Sequence, residues 1–406
     1  MRSFFKKIRE WILKHFSAQR FVWISIYEKG TFVSGYVYYQ SSRQWQQVWQ
    51  IFLEGVSEKD VTSSKRLAYV LKGAFFPFSY RVVIVSSHKH CASMYSRLSF
   101  ARAHPRATVN EEEIVGLFSN ALLKTLDAQK KIVSQNSDFD DLNALLVNHH
   151  VTASSVGSDW YVFDPDRAFG ATGSRVSFGM THTFAFRPLI SGVSRLLPRR
   201  ARLAHVFERG FSLPLWLLLT SVDTSSSRAA KQFIYASVLD SETEIFVYDG
   251  SRLSFVDSFT FGARTLYNAL NQSLGIDWDG FLALLNRFEE GALSVSTRLF
   301  VQSVLDAELQ RLTNGIASFK KNSGATTVYI HGGILSTLLA HHPKFNSSNI
   351  GSSWGGAYVP SMNNLWDEPH KADLAYVSSM PRVSKMNSLS LKLIRWLIPY
   401  DINTTS

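Results

Sequence analysis

Apolar and polar positions along this chain repeat with two different periods, and the switches between them mark out the elements. In EIFVYDGSRLSFVDSF, over 244–259, two runs of β-branched and aromatic residues flank Asp249-Gly250, a pair that predicts a tight hairpin. Gly262 ends the second run, and Leu266, Ala269 and Leu270 begin a helical period. The start of the chain has the same grammar. RFVWISIYEKGTFVSGYVYY predicts two strands around a turn at 28–31, SSKRLAYVLKGAF predicts a helix, and YRVVIVSS a buried strand. Two copies of such a unit predict an internally duplicated fold.

The pattern between the copies differs. VNEEEIVGLFSNALLKTLDAQKKIV predicts a long helix whose first turn, Asn110 followed by Glu111, Glu112 and Glu113, has good capping chemistry and is expected to be solvated. DWYVFD, VSFGMTHTFAF and RPLISGVSRLLP then predict strands and a helix, so 88–205 is read as an α+β insert. LPLWLLLTSV, over 213–222, is read as a buried helix. After the second copy come a long helix at 294–321, the strand TTVYI, the glycines Gly332 and Gly333, and another helix. A polar stretch at 346–364, a core helix in ADLAYVSSM and a terminal helix in LSLKLIRWLI complete the order.

This order resembles the actin-like ATPase superfamily, and within it the family of the cell-division protein FtsA and the pilus-assembly protein PilM. Three stretches carry the resemblance. YASVLDSETEIFVYDGSRLSFVDSFTFGARTLYNALNQSLGI has the length and order of the second phosphate loop, its strands and its helix. TTVYIHGGILSTLLAHH has the strand, Gly-Gly and helix of the adenosine motif. YVFDPDRAFGATGSRVSFGMTHTFAFRPLISGVSRLLP is similar to the inserted subdomain of FtsA. The resemblance implies an α/β, ribonuclease H-like, duplicated two-lobed fold with a small inserted α+β subdomain. Its implied parts are an amphipathic helix at 1–18, core lobes at 19–87 and 206–380, the insert at 88–205, and a linker with a terminal helix at 381–406.

The departures decide the expected chemistry. A phosphate loop needs glycines so that backbone N–H groups approach the anion, and an acid to hold magnesium. The family's first Asp-x-Gly falls on Ser25, Ile26 and Tyr27, and its second loop on Ser237, Val238, Leu239, Asp240 and Ser241. Glu244, Gly332 and Gly333 are the nucleotide features that remain. A scaffold without ATP hydrolysis is therefore expected. No cofactor is expected, and weak ATP binding would use those three residues. An active ATPase and a PilM-like adaptor are the alternatives.

Composition adds the partner. The 406 residues carry a net charge of +11, which favours an anionic surface. No run of about 18 apolar residues predicts a membrane span, and Lys6, Lys7, Arg9, Glu10 and Lys14 interrupt any secretory leader. On the helical period of 1–16, Phe4, Phe5, Ile8, Trp11 and Ile12 share a face opposite Lys6, Lys7 and Arg9, a pattern suited to a lipid headgroup layer. A weaker counterpart sets Leu389, Leu393 and Trp396 beside Lys392 and Arg395 near the C-terminus, where a docked core helix fits equally well. The expected location is the cytoplasmic face of the membrane. The expected partners are anionic lipid, cell-division or pilus-assembly proteins, and further copies in filaments; nucleic acid is not expected.

Other constellations read as structural. The adjacent pairs His149-His150 and His341-His342 point to opposite sides of any element and lack further ligands at metal spacing. Cys91, the single cysteine, has no nucleophile motif around it. Arg195, Arg199, Arg200 and Arg202 read as a solvated basic loop, with anionic lipid as a possible facing surface.

Overall fold

A computed structural model describes residues 18–27, 30–39, 44–136, 143–221, 232–325 and 327–332, with isolated positions between 335 and 392. The helix expected at 1–16, the polar stretch at 346–364, the pair His341-His342 and most of ADLAYVSSM lie outside the described residues. The chain divides into two compact units, Met1–Ser212 with Asp373–Ser406, and Leu213–Ala372.

The first unit begins with β1 (Gln19–Tyr27), β2 (Gly30–Tyr39), β3 (Gln44–Glu54), α1 (Lys65–Gly73) and β4 (Tyr80–Ser86). It continues through β5 (Cys91–Ala101), α2 (Glu111–Asn136), β6 (Ala144–Val156), β7 (Asp159–Val162), β8 (Arg175–Phe186), α3 (Arg187–Leu196) and β9 (Ala201–Glu208). One sheet has the order β3-β2-β1-β4-β9. β1 pairs antiparallel with β2 and parallel with β4, which is itself parallel to β9. Val22, Trp23, Ile24 and Ile26 are all buried, as a central strand covered on both faces requires. The Ser64 hydroxyl caps α1 by accepting from the Leu67 N–H at 3.1 Å, and Leu67 and Leu71 turn into the core. α3 packs into that same core through Leu189, Ile190 and Val193. Both α3 and β9 thus serve the first sheet, although the sequence placed them in the insert, and the expected boundary at 206 falls inside β9.

β3 is the edge of this sheet. From Gln44 to Leu53 it carries no charge, and Val48, Ile51 and Phe52 are exposed. Its register with β2 passes from Gly35↔Trp49 to Tyr36↔Gln47, leaving Val48 as a bulge.

The strands of the insert run β5-β8-β6-β7 and are covered by α2. Asn110 caps α2, its Oδ1 accepting from the Glu113 N–H at 2.9 Å. The acids that follow are not merely solvated. Glu113 holds the buried Arg102 guanidinium through two bonds of 2.7 and 2.8 Å, and Glu111 pairs with Lys385 at 3.0 Å. Asp166 takes the start of the C-terminal helix, accepting from the Lys385 and Met386 N–H groups at 2.8 and 2.9 Å. Met386 and Leu389 are buried in the α2 core, while Lys392 is exposed. Leu389, on the face that the sequence left open between lipid and core, therefore lies within protein.

The second unit holds most of α4 (Ser212–Ser221), then β10 (Phe233–Val238), β11 (Thr243–Tyr248), β12 (Arg252–Phe259), α5 (Ala263–Leu274), α6 (Trp278–Glu289), α7 (Val295–Ser323) and β13 (Thr327–His331). Its strands run β13-β10-β11-β12. β10 is antiparallel to β11 and parallel to β13, repeating the relations of β1 to β2 and β4. The β11–β12 turn is centred one residue later than the sequence suggested. Gly250 and Ser251 occupy its middle, with Gly250 at φ 97, while Asp249 braces it by accepting from the Ser251 and Arg252 N–H groups.

Candidate functional site

In parallel sheets of this kind the carboxyl ends of the strands form the natural binding edge, above all where neighbouring connections diverge to opposite sides. In the first unit that point lies between the ends of β1 and β4. Ser25 is buried there beside Val85. Tyr27 follows, with the Arg209 guanidinium 5.3 Å over its ring and Phe32 edge-on at 5.7 Å. The aromatic ring and the cation on it occupy the end of β1, where a phosphate loop would present bare backbone.

Around them lies a polar cluster. The Glu58 carboxylate accepts from the Ser87 hydroxyl and pairs with His90 Nε2 at 3.2 Å. Burial pushes the Glu58 carboxyl up, but the bonds from His90 and Ser87, with the charges of His90 and Arg209, bring it below its ordinary value. Both bonds converge on the carboxylate, so the imidazole does not sit on the hydroxyl as nucleophilic catalysis by a serine requires. At the end of β9 the buried Glu208 carboxylate accepts from the Ser93 N–H at 2.7 Å, and the Glu208 N–H donates to Ser93 Oγ at 3.1 Å. These bonds lock β5 to β9.

The equivalent edge of the second unit is the loop between β10 and β11. Ser237 and Glu244 are cross-strand neighbours and both are buried. The loop closes on itself, the Leu239 N–H donating to the Glu242 carbonyl at 2.8 Å. It is then stitched to the start of α5. The Ala263 N–H donates to the Leu239 carbonyl at 3.0 Å and the Arg264 N–H to the Asp240 carbonyl at 2.7 Å. The Arg264 side chain reaches back to Asp240 Oδ2 at 3.0 and 2.8 Å. Gly262 has extended backbone open to any residue, so its role is room. A Cβ there would lie 2.5 Å from the Asp240 carbonyl oxygen.

A helix N-terminus binds phosphate through its unsatisfied N–H groups. Two of those at α5 already donate to their own loop, and the neighbouring cation is paired. The residues present thus do not form a phosphate cradle at this loop. Gly332 is buried just beyond β13, and its carbonyl accepts from the Leu335 N–H at 2.8 Å. Gly333, Phe4, Phe5, Lys6, Lys7, Ile8, Arg9, Trp11, Ile12, Arg395 and Trp396 lie outside the described residues.

Among the described residues no group of three His, Cys, Asp or Glu side chains has the geometry of a metal site. The histidines of β6 nevertheless meet others. The His149 and His182 rings lie 4.7 Å apart between β6 and β8, and those of His150 and His205 5.7 Å apart. His149 and His182 are buried, and neither ring nitrogen of either finds a hydrogen-bond partner. Burial holds His149 well below the usual value and takes His182 down to about 3, with His150 adding to the shift of each. These are neutral core rings. Cys91 is likewise buried, and its thiol is pushed up by burial and by Glu208, so it is inert as a nucleophile.

The strand orders β3-β2-β1-β4 and β12-β11-β10-β13, each with one parallel pair beside an antiparallel meander, define the class: a duplicated α/β fold, as the resemblance to the actin-like ATPases implies. No protein-family model matches the chain, and no curated protein matches it. Among solved structures it is similar to the PilM-PilN type IV pilus biogenesis complex, at 12% identity over 92% of this chain and 98% of that chain, with a TM-score of 0.44. It is also similar to Ta0583, an archaeal actin homolog, at 10% identity over 89% and 99%, TM-score 0.38. A third similarity is to Bacillus thuringiensis ParM with ADP, at 6% identity over 90% and 99%, TM-score 0.37.

Proposed function

We propose that this chain is an actin-fold docking scaffold without ATP hydrolysis, which holds a cell-division or pilus-type assembly complex at the cytoplasmic face of the membrane. The observation that carries the first part is the stitched loop of the second unit. Hydrolysis of ATP is almost wholly positioning and charge stabilisation by backbone donors, cations and metal. Here the Ala263 and Arg264 N–H groups serve the carbonyls of Leu239 and Asp240, and serines stand at both magnesium positions that the resemblance implies. What persists is a duplicated, well-packed body. Membrane association is supported by the net charge of +11 and by the aromatic-basic pattern of residues 1–16. No helix among the described residues is long and apolar enough to cross a membrane.

The test is magnesium-dependent phosphate release by the purified full chain, with calorimetric titration of ATP alongside. We expect release at the no-protein background. Sustained turnover that disappears in Glu244→Gln would overturn the proposal.

A further inference from the structure

At the amino ends of β1, β4 and β9, the opposite edge of the first sheet from Tyr27 and Arg209, the surface changes character. α1 presents Tyr69 and Lys72 outward, and Tyr69 is 80% exposed. The loop that follows, Phe75-Phe76-Pro77-Phe78, turns at Phe75, whose φ is 51. Phe75 goes inward against Trp49 and Tyr80, whereas Phe76 and Phe78 go outward, at 74% and 43% exposure. Each outward ring has a guanidinium on it, Arg200 over Phe76 at 4.9 Å and Arg20 over Phe78 at 3.9 Å. Arg200 ties the patch together, donating to the carbonyls of Lys72 and Ala74. Arg199 and Arg202 are exposed beside it, and Arg202 is the cross-strand neighbour of the exposed Arg81.

The charge is of one sign. The stretches that build this edge, 18–27, 61–86 and 187–207, contain no aspartate or glutamate. Burying an aromatic ring is favourable, and leaving three of them exposed within a rim of cations implies a surface that takes both.

We infer that the Phe76–Phe78 loop and its arginine rim are a lipid-contact site, seating this edge of the first sheet on an anionic bilayer. The rings of Tyr69, Phe76 and Phe78 enter the headgroup layer. Arg20, Lys72, Arg199 and Arg202 meet lipid phosphates, as interfacial aromatics and juxtamembrane cations do. The inference rests on the membrane association proposed above and names the face that carries it. The carboxyl-end edge with Tyr27 then points away from the bilayer.

The test is co-sedimentation of the full chain with vesicles of phosphatidylcholine, alone or mixed with phosphatidylglycerol. The wild type is compared with Phe76→Ser/Phe78→Ser and with Lys72→Glu/Arg199→Glu. A second readout places a cysteine at an exposed position, Phe76→Cys or, on the distant β6–β7 turn, Ser158→Cys, and labels it with a polarity-sensitive dye. Cys91 is buried and does not compete for the label. We expect each double variant to lose at least about tenfold in affinity for the mixed vesicles. The dye at position 76 should shift to the blue, while that at 158 should not. Wild-type binding with both double variants unaffected and no shift at 76 overturns this site and leaves membrane association standing. No binding by the wild type overturns both. A shift at 76 produced by a single-stranded oligonucleotide and not by vesicles reassigns the surface to nucleic acid and also overturns the inference.

Discussion

The bare histidine pair between β6 and β8 makes a quantitative prediction about pH. His182 is fully buried and its ring nitrogens bond to nothing, so the folded chain protonates it only near pH 3, whereas the unfolded chain does so near 6.5. The folded pKa is depressed, so as pH falls below 6.5 the unfolded state takes up the proton first. Stability is therefore complete above 6.5 and declines toward 3. Each pH unit in that window is worth about 1.4 kcal/mol, so His182 alone removes about 2 kcal/mol by pH 5, and His149 acts in the same direction. Native-state hydrogen exchange reads this locally, through the opening free energies of β6 and β8 amides at pH 7 and pH 5, corrected for intrinsic exchange. The control is His182→Phe, which keeps a flat ring and removes the titration. The wild type should lose about 2 kcal/mol more than the variant between the two pH values, a ratio of about 30 in the opening constants. Equal losses would refute the reasoning, because His182 would then be solvated or partnered in the native state.

Two further perturbations test other joints. Gly262→Ala forces a methyl against the Asp240 carbonyl, where only backbone can give way, and should cost about 1–3 kcal/mol by urea denaturation; a neutral result would mean that α5 does not start against its loop. Asp166→Ala removes the carboxylate that caps the C-terminal helix and should cost about 1 kcal/mol, seen as faster exchange of the amides at 386–392 with β10–β12 unchanged.

The repeated unit was legible because its signals are local. A β-branched run, a tight turn and a helical period recur in β1–β2–α1 and in β10–β12–α5. What escaped the sequence lies where composition and environment disagree. β3 reads QWQQVWQIFLE, and its glutamines suit a solvated edge but not the alternation expected of a strand. β9 begins in the arginines of RLLPRRAR, so a charge run concealed the fifth strand of the first sheet and carried the insert too far. α6 passed unnoticed although Asp277 caps it, accepting from the Gly280 N–H at 2.8 Å, because Gly280 interrupts its first turn. At the site, the departures of Ser25, Tyr27 and Ser237 from the pattern that the resemblance implies were readable position by position. The stitching of α5 to its loop was not, since it is made by backbone atoms that carry no residue code. The lone cap from Asp166, more than two hundred positions before Lys385, has no sequence signal at all.

The bulge at Val48 gives the edge strand its own kind of safeguard. Most exposed edges deter unwanted pairing with lysine, proline or shortness, and β3 has eleven residues with none of the first two. An extra residue coils the ribbon locally and interrupts the row of outward amides between Gln47 and Trp49. Self-avoidance here is a matter of shape. The residues at this rim are accordingly free to drift among neutral side chains, as long as the two-against-one count opposite Gly35 and Tyr36 endures.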